Sequence, residues 1–171
     1  MQTLNRDLKE GNFRSVYLLF GEEEFLKKSY KNRLREAIAG EASMNYNYFE
    51  GKGLDVSEII SLADTMPLFA ERRLILLEDT GFFKSAAGEE LVAYLPRMPE
   101  STCMIFVESE VDKRNRLYKK VKELGYAAEL SRQDASQLAR WAGGILAKDG
   151  KKITGRTMEH FLAAAGDDME N

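Results

Sequence analysis

Cysteine is almost absent: Cys103 is the single one in 171 residues. That excludes an intrachain disulfide and a cysteine-rich zinc site within the chain. Its place inside the apolar run CMIFV makes it a core residue. Histidine is as scarce, and His160 has no neighbour with which to build a metal site or a catalytic pair, so it reads as a polar helix residue. No apolar run approaches the roughly 18 residues that span a bilayer, and the start MQTLNRDLKE lacks the apolar stretch of a signal peptide. A cytoplasmic protein with no membrane partner is expected. Neither sign of charge dominates: 25 Lys and Arg stand against 28 Asp and Glu, for a net charge of −3, which argues against nucleic-acid binding over the whole surface. What is there is 44% hydrophobic and 31% charged residues, enough to bury one core and part of another.

Apolar runs alternate with helical patterns. The patterning predicts strands at Val16 to Phe20, Tyr46 to Phe49, Arg73 to Leu77, Thr102 to Val107 and Ala127 to Leu130. Between them it predicts helices near Glu23 to Ala39, Val56 to Thr65, Ala86 to Leu95 and Lys113 to Leu124. Continuously apolar strands such as LILL and CMIFV suit a parallel sheet covered on both faces. Five strands in this alternation mean a doubly wound α/β domain over residues 1–132. From residue 133 the texture becomes helical. Asp134 to Lys148 and Thr154 to Ala165 read as two helices joined by Asp149-Gly150, with Asp134 and Thr154 as N-caps and Gly166 as a C-cap. Residues 133–171 are expected to begin a helical lid that they do not complete, so the chain reads as a piece of a longer protein.

The first strand ends at Gly21 and enters a helix where a nucleotide-binding protein places its phosphate loop. That loop needs G-x-x-x-x-G-K-[ST], so that backbone N–H groups face the phosphates, Lys reaches them and a hydroxyl holds Mg²⁺. Gly21 and Lys27 fit the first and seventh positions, but Leu26 replaces the second Gly and Lys28 replaces Ser/Thr. Glu22, Glu23 and Glu24 add carboxylates that suit the helix dipole and repel a polyphosphate. An ordinary acidic helix start is the plainer reading. The acids Glu78-Asp79 after LILL invert the Asp-Glu order of a magnesium-binding strand end, and no catalytic, cofactor or metal role is assigned.

Between the second helix pattern and the central strand lies Met66-Pro67-Leu68-Phe69-Ala70-Glu71-Arg72-Arg73. Ile59, Leu62, Ala63 and Met66 recur at helical spacing and describe one inward face. Pro67 ends that helix or opens a new turn. Leu68 and Phe69 are neighbours, so on a helical turn they point about 100° apart, and at least one is a candidate exposed anchor; the alternative packs both under the sheet edge. Lys113, Arg114 and Arg116 open a basic segment that is a weak candidate for DNA phosphate or an acidic partner, the plainer reading being the solvated face of an amphipathic helix with Leu117, Val121 and Leu124 inside. Trp141 reads as core, and Gly143-Gly144 weaken their helix or permit a close contact.

Four blocks in order, YLLFGEEEFL, MPLFAERRLILLED, YLPRMPESTCMIFVESEVDKRNRLYKKVKELG and LARWAGGILAKDGKKITGRTMEHFLAAAGDD, resemble the N-terminal half of the delta-subunit family of bacterial DNA polymerase III, the clamp-loader subunits that open the sliding clamp. The resemblance implies an AAA+-like domain without a functional phosphate loop, then a small helical domain, with a third collar domain absent from this chain. It implies a non-catalytic subunit of a DNA-polymerizing holoenzyme. Its partners would be the sliding clamp (the beta subunit), the gamma/tau and delta-prime subunits through the collar, and primed DNA in the assembled complex. In the family a Leu-Phe pair enters a hydrophobic pocket of the clamp, and here that pair matches Leu68 and Phe69, with Met66 and Pro67 beside it. Two other readings stand against this one: an ATPase with a degenerate phosphate loop, and a delta-prime or gamma/tau type subunit, whose usual four-cysteine zinc module a single cysteine cannot form.

Overall fold

Three runs, VYLLF, RLILLE and TCMIFVE, are apolar at almost every position, and a strand with that pattern must be covered on both faces. A computed structural model, which describes residues 1–40 and 43–131, gives them that surrounding. The elements in order are α1 (Gln2–Glu10), β1 (Val16–Phe20), α2 (Glu24–Ala39), a 3₁₀ turn (Ser43–Asn45), β2 (Tyr46–Glu50), α3 (Val56–Ala63), β3 (Arg73–Glu78), α4 (Glu89–Tyr94), a second 3₁₀ turn (Leu95–Arg97), β4 (Thr102–Glu108), α5 (Arg116–Leu124) and β5 (Tyr126–Glu129). The five strands form one parallel sheet in the order β2-β3-β4-β1-β5. This is the doubly wound parallel α/β fold expected from the patterning.

Alternation along the strands divides the core. Val16, Leu18 and Phe20 of β1, Ile75 and Leu77 of β3 and Met104 and Phe106 of β4 share one cluster with Ile59 and Ala63 of α3, Leu91 and Tyr94 of α4 and Leu117 and Val121 of α5. Phe83 meets Phe106 edge to face at 5.1 Å, and Phe20 meets Tyr118 likewise at 5.9 Å, geometries that aromatic quadrupoles favour. On the other face α2 packs over β1, β3 and β4, burying Leu26, Tyr30 and Leu34, and α1 packs on α2. Cys103 lies wholly inside, and burial pushes its thiol up to about 12. β2 is an edge strand and only partly buried, unlike the continuous runs.

Several boundaries differ from the patterning, each for a local reason. α3 stops at Ala63 rather than Thr65, and the hydroxyl of Tyr94 takes the Asp64 carboxylate at 2.7 Å just beyond its end. Met66 is therefore not on an inward helical face but exposed, and Pro67 neither ends nor opens a helix. α5 begins at Arg116 rather than Lys113 because Asn115 caps it, accepting the Leu117 N–H at 2.8 Å. α4 begins only at Glu89, after a run of turns. α1 was not anticipated: Leu4 is buried, but so is Asp7, whose carboxylate accepts from Arg14 Nε at 2.9 Å and from the Tyr17 hydroxyl at 3.0 Å. The two lid helices with their caps, Trp141, Gly143-Gly144 and His160 lie outside the described residues. Among the described residues no helix is long and apolar enough to cross a membrane.

Candidate protein-binding surface

Where a phosphate loop would lie, the backbone is occupied. Gly21 has φ +120°, and a Cβ there would sit 2.3 Å from the carbonyl oxygen of Leu130. The same carbonyl accepts the Glu23 N–H at 3.1 Å, while the Leu130 N–H donates to Phe20 at 2.6 Å. Glycine at this turn thus admits the chain leaving β5, and an N–H that would face an anion is already bonded. Lys27, at the position of the phosphate-binding lysine, is buried with its ammonium 2.6 Å from the Glu24 carboxylate. Glu23 is the N-cap residue and Glu24 lies in the first turn of α2, whereas Glu22 precedes the helix.

The acidic ends of the inner strands are also committed. Glu78, the last residue of β3, takes the Lys31 ammonium at 2.7 Å and the Tyr48 hydroxyl at 3.0 Å. Glu108, buried at the end of β4, accepts from the Thr80 hydroxyl at 2.5 Å and the Thr80 N–H at 3.0 Å. Burial raises its pKa, and the hydrogen bonds from Thr80 and Gly81 oppose that rise. No group of three potential metal ligands is brought together among the described residues.

The weak basic candidates are paired as well. Lys113 lies 2.6 Å from the Glu129 carboxylate, Arg114 lies 3.1 Å from Asp112, and Arg116 pairs with Glu89. Lys113 and Arg114 stand in the turn before α5 rather than on its face. Pairing on an exposed surface adds little stability, but it leaves these cations partly neutralised toward DNA phosphate.

Apolar exposure is concentrated elsewhere. Among the described residues the exposed large hydrophobic side chains are Met44, Tyr48, Met66, Leu68 and Phe69, and they come from two short segments. Phe69 is fully exposed, Met66 is 78% exposed and Leu68 50%, while Pro67 between them is half-buried. The pair does not sit on a helical turn. It lies in an irregular loop between α3 and β3, where Phe69 adopts φ +53°, a left-handed state uncommon for a bulky residue. Both residues are exposed, where spacing alone required only one.

Two buried polar side chains hold this loop. Asn45, 1% exposed at the end of the first 3₁₀ turn, donates from Nδ2 to the Leu68 carbonyl at 2.7 Å and accepts the Leu68 N–H on Oδ1 at 2.6 Å. Arg73, the first residue of β3 and also buried, donates from Nε to the Thr65 carbonyl at 2.9 Å and from Nη1 to Asn47 Oδ1 at 2.9 Å. Its Nη2 reaches the Met66 carbonyl at 3.5 Å. Sequence reasoning missed Asn45, Asn47 and Arg73. The one available signal was a charged residue opening an otherwise apolar strand, which implies a partner for its buried charge.

The sequence matches the family described as DNA polymerase III, delta subunit, over residues 17–130. The chain belongs to that family. The match takes in the sheet, Asn45, Arg73 and the exposed loop. The DNA polymerase III subunit delta of Bacillus subtilis is 22% identical over 169 residues, covering 92% of this chain and 49% of that protein. Among solved structures, the DNA clamp loader delta protein of Bacillus subtilis has a TM-score of 0.79 at 21% identity, over 94% of this chain and 51% of that one. A DNA polymerase III gamma-subunit-related protein from Thermotoga maritima has a TM-score of 0.55 at 14% identity, over 86% of this chain and 51% of that one. The delta-family chain thus spans about half the length of the relatives it matches.

Proposed function

We propose that this delta-family chain is the clamp-binding part of a clamp-loader subunit, which engages the sliding clamp through Leu68 and Phe69, flanked by Met66 and Pro67, and helps to open it for loading onto primed DNA. The observation that carries the reading is a fully exposed Phe69 beside a half-exposed Leu68 on a loop whose backbone is bonded to buried side chains. Exposed apolar side chains gathered in one place mark interaction sites.

Magnitudes decide how much the pair can do. Burying a Leu and a Phe stabilises by roughly 3–6 kcal/mol, whereas a nanomolar complex needs about 12 kcal/mol net of association costs. The pair is an anchor, and Met66 beside it and Met44, next to Asn45 in the chain, are exposed apolar candidates to extend the interface. Opening follows if the bound surface favours the open clamp over the closed one, since a ligand shifts an equilibrium only through differential affinity.

On this reading the subunit is non-catalytic, and ATP hydrolysis belongs to gamma/tau-type partners in the cytoplasm, joined together with a delta-prime subunit through a collar outside this chain. The occupied Gly21 turn and the Lys27–Glu24 pair support it against the degenerate ATPase. The pairing of Lys113, Arg114 and Arg116 with carboxylates weighs against a DNA-contact role for them. Calorimetric titration of purified sliding clamp with the intact protein tests the reading. A saturable isotherm is expected, and the absence of any binding contradicts it.

A further inference from the structure

We propose that Asn45 is a positioning residue for the clamp-binding loop, holding Leu68 so that its side chain and that of Phe69 are presented before the partner arrives. The inference rests on the reading of Leu68 and Phe69 as the anchor, and it assigns a role to a residue 23 positions away in sequence.

The geometry is specific to the side chain. Asn45 uses both ends of one amide on both backbone polar groups of a single residue, as a neighbouring strand would. Only the orientation with Nδ2 toward the carbonyl and Oδ1 toward the N–H satisfies both bonds. Asp supplies acceptors alone and would face the Leu68 carbonyl with a second oxygen, and Gln carries the same amide one methylene too far. Asn45 is itself buried and immediately precedes β2, so its anchor point is the sheet. Arg73 fixes the carbonyls of Thr65 and Met66 on the approach to the pair. With Leu68 held, the chain passes directly into the left-handed backbone at Phe69, a state that a bulky residue keeps only when its surroundings enforce it.

The consequence lies in binding. A loop that is already ordered does not have to be ordered when the clamp binds, so affinity is not spent on fixing it. Freed of Asn45, residues around Leu68 would sample many conformations, and the apolar pair would present itself in only a fraction of them, which lowers apparent affinity by that fraction. A purely structural Asn45 would instead lower the unfolding midpoint and leave the affinity of the folded protein unchanged.

The test uses the intact protein and purified sliding clamp from the same organism. Asn45→Ala, Asn45→Asp and Leu68→Ala/Phe69→Ala are each measured for clamp affinity well below their unfolding midpoints, and for hydrogen exchange at the Leu68 amide. Both Asn45 variants are expected to bind the clamp about tenfold more weakly, with faster exchange at Leu68. In protein already carrying Leu68→Ala/Phe69→Ala, adding Asn45→Ala is expected to change the residual affinity by less than about twofold, because the effect runs through the pair. Should Asn45→Ala not fold, Asn45→Asp, which matches asparagine in shape, gives the same comparison. Parental affinity in the Asn45 variants, with weak binding in the Leu68/Phe69 variant, overturns the positioning role while leaving the anchor intact. Parental affinity in the Leu68/Phe69 variant overturns the anchor, and the positioning role with it.

Discussion

The side-chain amide of Asn45 holds both backbone polar groups of Leu68, donating to its carbonyl at 2.7 Å and accepting its N–H at 2.6 Å. Tying these two residues brings together the two segments that carry the exposed apolar side chains, Met44 and Tyr48 on one side and Met66, Leu68 and Phe69 on the other.

The Gly21 turn gives a stability prediction. A side chain there meets the Leu130 carbonyl at 2.3 Å and must also adopt φ +120°. Gly21→Ala is expected to lose about 2–4 kcal/mol, read as a lower thermal or urea midpoint. A parental midpoint would mean that Leu130 does not cross the turn so closely.

Nucleotide chemistry gives a second. Because Lys27 is buried against Glu24 and the Glu23 N–H is bonded to Leu130, calorimetry with a non-hydrolysable ATP analogue and magnesium should show no binding. Micromolar affinity that Lys27→Ala abolishes would restore the ATPase reading.

Glu108 supplies a pH dependence. Burial raises its folded-state pKa above the ordinary 4.5, so the native state holds the proton to higher pH than the unfolded chain does. The sign follows from linkage: its contribution favours folding below about pH 4.5 and declines as pH rises through the folded value. Relative to Glu108→Gln, the parent's unfolding midpoint should therefore fall as pH rises from about 4 to about 7. Parallel profiles for the two proteins would contradict the assignment.

Legibility in the sequence followed the physics of each segment. β1, β3 and β4 were readable to within a residue because burial on both faces leaves an unbroken apolar run. α1 escaped notice because one of its two buried positions is Asp7, and what makes that burial tolerable, Arg14 and Tyr17, lies on other segments. Met66 was misplaced because periodicity carried α3 one turn past the place where it ends. The exposure of Leu68 and Phe69 could be argued from adjacency, although by way of a helical turn that is not there. Asn45 could not be found: an asparagine before a strand looks like any turn residue, and its meaning lies in a contact across 23 residues.

The most direct measurement is the dissociation constant for purified sliding clamp of the Leu68→Ala/Phe69→Ala protein beside its parent. Removing most of two side chains that the clamp would bury should cost several kcal/mol, so binding should weaken by about a hundredfold or more while the unfolding midpoint stays near the parental value, because in the free protein Phe69 is fully and Leu68 half exposed. A double variant that binds the clamp as tightly as the parent would contradict the account.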